Sequence, residues 1–433
     1  MDLIVRNARL RGTDRLVDIG IGADRIERIE PRLAARAAEE VDAGGHLTTP
    51  AFVEPHIHLD KALTADRARE NTTNLFEEAL AHMREVKRSY TVEDVAARAT
   101  RVVRWLVGHG VTFIRSYVDV DTIVGLVALD GVLEARERCR GLAHIELIAF
   151  PQEGVFTDPG TDELLVRAME RGADVVGGMP HAEVIEADSR RHTDLVFRIA
   201  QRFGRDIQMH VDETDDPGAT TLHYYAVKAI REGYRGRVTA CHATALAAYD
   251  DTYAARVIGL VAEAGMNVVV LPTKLMRGGI RDREPRRRGI TRVSELLAAG
   301  VNVAYGQDVI MDGFLPVFGT GDPLQVGFLL AFAAQLSTPR HVETLYDMAT
   351  VNGARLMRLP DYGLRAGGRA DLVVVEAPSV QEAYRTQPRR QCLRNLPRMP
   401  RRPNPRAVDA PASAVREHAL RHHIQVLFPL VHH

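Results

Sequence analysis

"AFVEPHIHLD", residues 51–60, is a short apolar run that ends in polar side chains, and seven further stretches of the chain are built the same way. They are "GVTFIRSYVDV" (110–120), "HIELIAFPQEG" (144–154), "ADVVGGMPH" (173–181), "DIQMHVDE" (206–213), "RVTACHAT" (237–244), "MNVVVLPTKL" (266–275) and "VNVAYGQD" (301–308). Amphipathic segments separate them, among them Val92–Gly108, Asp194–Gly204 and Tyr253–Gly265, each ending at a glycine suited to a helix C-terminus. Near-continuous apolar strands alternating with helices predict a parallel sheet covered on both faces, and eight units fit an α/β fold closed as a (β/α)8 TIM-type barrel. An open, doubly wound sheet is the alternative. The barrel is preferred because His56, His58, Gln152, His181, His210, Glu213, His242 and Asp308 all fall at the C-terminal ends of their runs. In a barrel those ends converge on one mouth, where active sites sit.

The chain ends read differently. "DLIVRNARL" and "LVDIGIGADRIERIE" alternate as short strands with a turn at Gly22–Asp24, and "GLRAGGRADLVVVEA" (363–377) gives a turn and then a strand from Leu372 to Val375. Such strands form no independent core alone, so the two ends are predicted to meet in a small β-sandwich domain. The expected organisation is residues 1–50 for its first part, 51–355 for the barrel, 356–390 for its second part and 391–433 for an atypical tail. That tail is rich in Pro, Arg and His without a clear period, which argues for an irregular or disordered segment or a shifted reading frame.

A formal net charge of -1 gives no field to draw the chain to nucleic acid or to an anionic membrane, which leaves small-molecule partners. The basic stretch 277–292 lacks interleaved aromatics and reads as a solvated loop. Cys139, Cys241 and Cys392 are odd in number and far apart, and the chain opens without a charged-then-apolar signal; both features predict a reduced, cytoplasmic protein. No uncharged apolar run approaches the roughly 18 residues that would cross a bilayer.

His56 and His58 stand two apart on one predicted strand, so they share a face and aim at a common object. A single histidine in such a place is more often a hydrogen-bonded structural residue. With His210 and Asp308 arriving at the same mouth the weighting reverses, and imidazole nitrogens with a carboxylate suit zinc or ferrous iron. Glu213, three residues past His210, is placed to move protons beside such an ion. His242 is read either as a fifth ligand or as a hydrogen-bond partner of the ion's water.

"FVEPHIHLDKAL", "FPQEG", "ADVVGGMPH", "HVDETDD", "TACHAT", "RRRGITRVSELLAAGVNVAYGQD" and "DYGLRAGGRADLVVV" together resemble the cytosine deaminase branch of the amidohydrolase superfamily, over most of residues 45–375. The resemblance implies one divalent metal ion, Zn2+ or Fe2+, held by His56, His58, His210 and Asp308. It implies hydrolytic deamination of cytosine or a related aminopyrimidine, in which metal-bound hydroxide attacks the amino-bearing carbon and ammonia leaves. Glu213 matches the acid that protonates the adjacent ring nitrogen, His242 the residue that hydrogen-bonds the hydroxide, and Gln152 a substrate-binding amide; Asp308 would also take the water's proton. The bridging lysine of two-metal members is absent from "ADVVGGMPH", in agreement with one metal, and a homo-oligomer is implied.

Departures narrow the substrate. Val309 stands where the branch carries a second acid and Phe314 near its tryptophan, so cytosine itself is disfavoured relative to isocytosine, a methylated cytosine, an aminotriazine or creatinine. Hydrolysis of a ring amide or an N-alkylamino group is the alternative reaction. "HAE" at 181–183 mimics part of another zinc deaminase design, but its P-C-x-x-C partner is missing, so His181 and Glu183 are read as barrel-mouth residues, candidates to line the substrate pocket. Lys274 is read as facing the pocket or, equally, as a solvated loop residue.

Overall fold

A computed structural model of the chain describes residues 1–273, 289–314 and 319–394. The opening segment forms five strands: β1 (Leu3–Arg9), β2 (Leu16–Gly22), β3 (Arg25–Glu30), β4 (Glu39–Asp42) and β5 (Leu47–Pro50). The eight apolar runs are the eight strands that follow. These are β6 (Phe52–His58), β7 (Val111–Asp119), β8 (His144–Phe150), β9 (Val175–Gly178), β10 (Ile207–Val211), β11 (Val238–His242), β12 (Asn267–Val270) and β13 (Asn302–Tyr305). They pair in parallel, each with its neighbour in sequence, from β6 to β13. The barrel closes where Ile57 bridges Asp308, with the Asp308 N–H donating to the His56 carbonyl at 2.9 Å and the His58 N–H to the Asp308 carbonyl at 2.8 Å.

Two glycines make the closed geometry possible. A Cβ on Gly306 would sit 2.8 Å from the His56 carbonyl oxygen, and one on Gly177 would sit 2.4 Å from that of Ala149. Larger residues would force the seam apart at the first position and β9 away from β8 at the second. Helices cover the outside. The longest of the expected ones, Val92–Gly108, forms as read: the Thr91 side chain accepts from the Asp94 N–H, and Val95, Ala99, Val102, Val103 and Leu106 are buried. Burying each Val or Leu contributes about 1.5–3 kcal/mol, so packing rather than capping decides this helix. Two other helices start earlier than their expected segments, at Glu186 and Asp251.

The chain returns with β14 (Asp371–Val375) and β15 (Arg390–Arg394), giving a sheet ordered β15-β14-β5-β1-β2-β3 with β4 on β1. It has its own apolar core of Leu3, Val5, Ile19, Ile21, Leu372 and Leu393, separate from that of the barrel. The tail boundary is thereby corrected: residues 391–394, expected to be irregular, pair antiparallel with β14 because the edge beside Val373 and Val375 is open to them. The second part of the small domain also carries a helix, Val380–Thr386, whose Tyr384 hydroxyl meets that of Tyr305 on β13 at 2.8 Å. Lys274, most of the 277–292 stretch and residues 395–433 lie outside the described residues.

Candidate active site

The seam of the barrel brings ligand types together. His56 Nε2 lies 3.3 Å and His58 Nε2 3.5 Å from Asp308 Oδ1. His56, His58 and Asp308 form one triplet with ligand atoms within 4.8 Å of one another, and His56, His210 and His242 form a second. Asp308 and His242 both have positive φ, 69° and 66°, a sparsely used backbone state that is tolerated where the fold fixes it and that clusters at functional sites. Beneath the rings, Tyr117 packs against His56, His58 and His210 at centroid distances of 4.4, 5.2 and 4.5 Å and directs its hydroxyl to Cys241 Sγ at 3.3 Å.

The donors suit a cation. Burial lowers His58 to about 4, with the nearby Lys61 adding to the effect, and lowers His210 well below its ordinary value, so both rings are neutral at pH 7 and offer lone pairs. Burial also acts on His56, but the Cys241 sulfur and Asp308 outweigh it and raise this ring to about 10. His210 Nε2 is buried with no hydrogen-bond partner among the described residues, while Nδ1 lies 3.3 Å from Glu213 Oε2. An imidazole held by a carboxylate on one nitrogen and bare on the other is oriented as metal-ligating histidines are.

Glu213 sits between two histidines, 3.3 Å from His210 Nδ1 and 3.5 Å from His242 Nε2, and is buried. The carboxylate of its neighbour Asp212 accepts from the Leu222 N–H at 2.8 Å, at the start of the helix Thr221–Arg231.

One wall of the site was not legible in the sequence. Lys61, three residues past His58, is buried, with Nζ 2.9 Å from Asp119 Oδ1, 3.3 Å from His58 Nδ1 and hydrogen-bonded to Gln152 Oε1. The other Asp119 oxygen is 3.0 Å from Nζ of Lys87, which also contacts Asp121 at 2.6 Å and Glu153 at 2.7 Å. Burial opposes the charge on Lys87, but these three carboxylates raise it far above its ordinary value. The signal that could have found Asp119 was already in use: it is a polar residue at the C-terminal end of an apolar run. Lys87→Met leaves buried carboxylates uncompensated and is expected to destabilise the fold by about 3–5 kcal/mol in urea denaturation, with partial recovery in Lys87→Met/Asp121→Asn.

The outer residues divide. Val309 and Phe314 are buried, and the Phe314 ring lies 5.7 Å from Lys61 Nζ. His181 is half-buried in a single 3-10 turn, Pro180–Ala182, just past β9. Glu183 holds two loops of the barrel mouth together. Its carboxylate accepts from the Val155 N–H at 2.6 Å, the Thr157 N–H at 2.9 Å and His192 Nδ1 at 2.7 Å, which ties the loop after β8 to the segment after β9. Burial pushes this carboxyl up, but the His192 ring and the backbone donors bring it down to about 2, from an ordinary 4.5. A depressed value stabilises the fold above the unfolded-state pKa, so this contribution is lost as pH falls from 4.5 towards 2. Thermal unfolding across that range should show the loss in the native chain and a smaller one in Glu183→Gln, which should itself be about 1–3 kcal/mol less stable at pH 7.

Among the described residues no helix is long and apolar enough to cross a membrane. The amidohydrolase family model matches residues 62–392. The chain is 32% identical over 397 residues to the N-isopropylammelide isopropyl amidohydrolase of Pseudomonas sp. (strain ADP), covering 90% of this chain and 95% of that protein. It is 32% identical over 368 residues to the pterin deaminase of Rhizobium rhizogenes (strain K84 / ATCC BAA-868), covering 83% of this chain and 82% of that one. The crystal structure of 5-methylcytosine deaminase from Klebsiella pneumoniae liganded with 5-fluorocytosine superimposes with a TM-score of 0.87 at 34% identity, over 93% of this chain and 99% of that one. With a (β/α)8 barrel, a His/Asp cluster at its mouth and these similarities across nearly its whole described length, the chain belongs to the amidohydrolase family and is a hydrolase acting on C–N bonds.

Proposed function

We propose that the chain is a metal-dependent deaminase of a small aminopyrimidine, and that a methylated cytosine fits it better than cytosine. The observation that carries the reading is Glu213, a buried carboxylate at 3.3 and 3.5 Å from two histidines of the cluster. A site that only bound a ligand would have no use for a proton carrier there.

His56, His58, His210 and Asp308 would hold one divalent ion, zinc or ferrous iron, with His242 beside it. Such an ion, when bound, lowers the pKa of its water from 15.7 to about 7 and so supplies a nucleophile at neutral pH. Asp308 accepts the proton of the attacking water, and Nε2 of His242 holds the water's oxygen in line. Glu213 Oε2 gives a proton to the ring nitrogen next to the attacked carbon, so that water adds across the C=N bond. The proton held by Asp308 then passes to the exocyclic nitrogen; as the C–N bond breaks and ammonia leaves, the hydroxyl proton returns to Glu213 and a carbonyl remains. Gln152, Val309 and Phe314 bound the ring. An apolar side chain at 309 favours a ring methyl, worth about 0.8 kcal/mol for a buried carbon, over a further polar edge.

The deaminases of 5-methylcytosine and pterin among the similar proteins support this reading. A second reading, release of an alkylamine from a triazine-like ring, is favoured by the similarity to the isopropylammelide hydrolase and uses the same proton transfers. Ammonia release by zinc- or iron-loaded protein from cytosine, 5-methylcytosine, isocytosine and creatinine tests the proposal. The highest kcat/KM is expected on 5-methylcytosine, and no ammonia from any of the four, with metal bound, would overturn it.

A further inference from the structure

We infer that Lys61 determines which ring the site accepts by fixing the orientation of Gln152, so that the pocket selects rings presenting a carbonyl oxygen. The inference takes the identity of the ring from the deaminase reading; the orientation of Gln152 stands on the geometry alone.

Lys61 stands in the loop three residues past His58 and has no freedom to swing away. Asp119 holds it at 2.9 Å, and Asp119 is itself held from the other side by Lys87 at 3.0 Å. The rings of Phe150 and Phe314 flank the ammonium at 5.4 and 5.7 Å. An ammonium has three donors and no acceptor, so the only atom Gln152 can turn towards it is Oε1, and that is the hydrogen bond present. The amide nitrogen must then point away. It meets Met179 Sδ at 3.8 Å, a weak acceptor, and Gln152 is only 5% exposed.

A buried N–H with a weak partner favours a ligand that brings an acceptor, and a ring carbonyl oxygen is a strong one. A free glutamine could turn over by rotation of its terminal amide and accept from a donor instead, which would blur the choice. With Lys61 in place the turned-over amide would face donor against donor. The lysine therefore excludes the alternative orientation by repulsion, and this excluded state is what makes the site selective. Lys61 is a positioning residue: it acts through Gln152.

The test compares cytosine with 4-aminopyrimidine, the same aminated ring without the carbonyl. Dissociation constants are measured by calorimetry on metal-loaded protein in a Glu213→Gln background, which blocks turnover, and kcat/KM is measured with Glu213 intact. The expected result is a preference for cytosine that Lys61→Met reduces by roughly tenfold or more, with KM rising more than kcat falls and metal content unchanged. Equal weakening of both ligands would mean that Lys61 only balances Asp119 and would overturn the inference. Should Lys61→Met not fold, Gln152→Glu decides: it keeps a partner for Lys61 but has no N–H, so it must lose the cytosine preference, and retention of the preference overturns the inference. Absence of ammonia from the native chain together with a lost preference in the variants would strike the deaminase reading and leave the role of Lys61 standing. Binding of neither ring would overturn both.

Discussion

Asp308→Asn is expected to remove the metal and reduce activity by roughly 10⁴-fold or more, as for a residue that acts as part of a single unit. The substitution is chosen with care for the backbone. Position 308 has φ 69°, a state that Asn tolerates about as well as Asp, so the seam between His56 and residue 308 should survive. What is lost is charge. Burial disfavours the ionised carboxyl, yet the His56 and His58 rings hold Asp308 well below the usual carboxylate range, which marks it as the negative partner around which the cluster is arranged. An amide of the same shape cannot take that place or accept the water's proton. Metal analysis after dialysis, beside kcat/KM, checks the expectation; full metal content with normal turnover would contradict it.

Glu213→Gln separates proton transfer from metal binding. The substituted amide keeps an oxygen to accept from His210 Nδ1, so the ring should stay oriented and the metal bound, while the proton carrier is gone. The expected outcome is a fall in kcat of roughly 10²–10⁴-fold with metal content and melting temperature close to those of the native chain. Loss of metal along with activity would instead make Glu213 a support for His210 and nothing more. Between them the two variants separate two carboxylates in one small site: the one at the seam, needed for both metal and proton transfer, and the one after β10, needed for proton transfer alone.

The barrel was readable because its strands are buried on both faces. Each therefore stands out as an unbroken apolar run, and the mouth reveals itself as the polar residues that end those runs. His56 and His58 were readable for a simpler reason, since a period of two on a strand puts both on one face. The Lys61–Asp119–Lys87 network was not, because its members come from the loop after β6, from β7 and from the helix Phe76–Lys87 and meet only once the barrel closes. No local spacing encodes such a meeting. Glu183 follows His181 in a spacing that mimics a catalytic pattern, which the missing P-C-x-x-C already set aside, and its carboxylate is occupied by backbone N–H groups of another loop. The strand Arg390–Arg394 was obscured by the Pro- and Arg-rich residues that follow it, although its pairing depends only on the open edge of β14.

The identity of the departing amine tests the central claim most directly. Metal-loaded protein is incubated separately with 5-methylcytosine and with N-isopropylammelide, and the small amines released are identified by mass spectrometry. Ammonia from 5-methylcytosine, abolished by Glu213→Gln, is the predicted result. Isopropylamine from the triazine with no ammonia from the pyrimidine would contradict it and make the chain an alkylamine-releasing hydrolase.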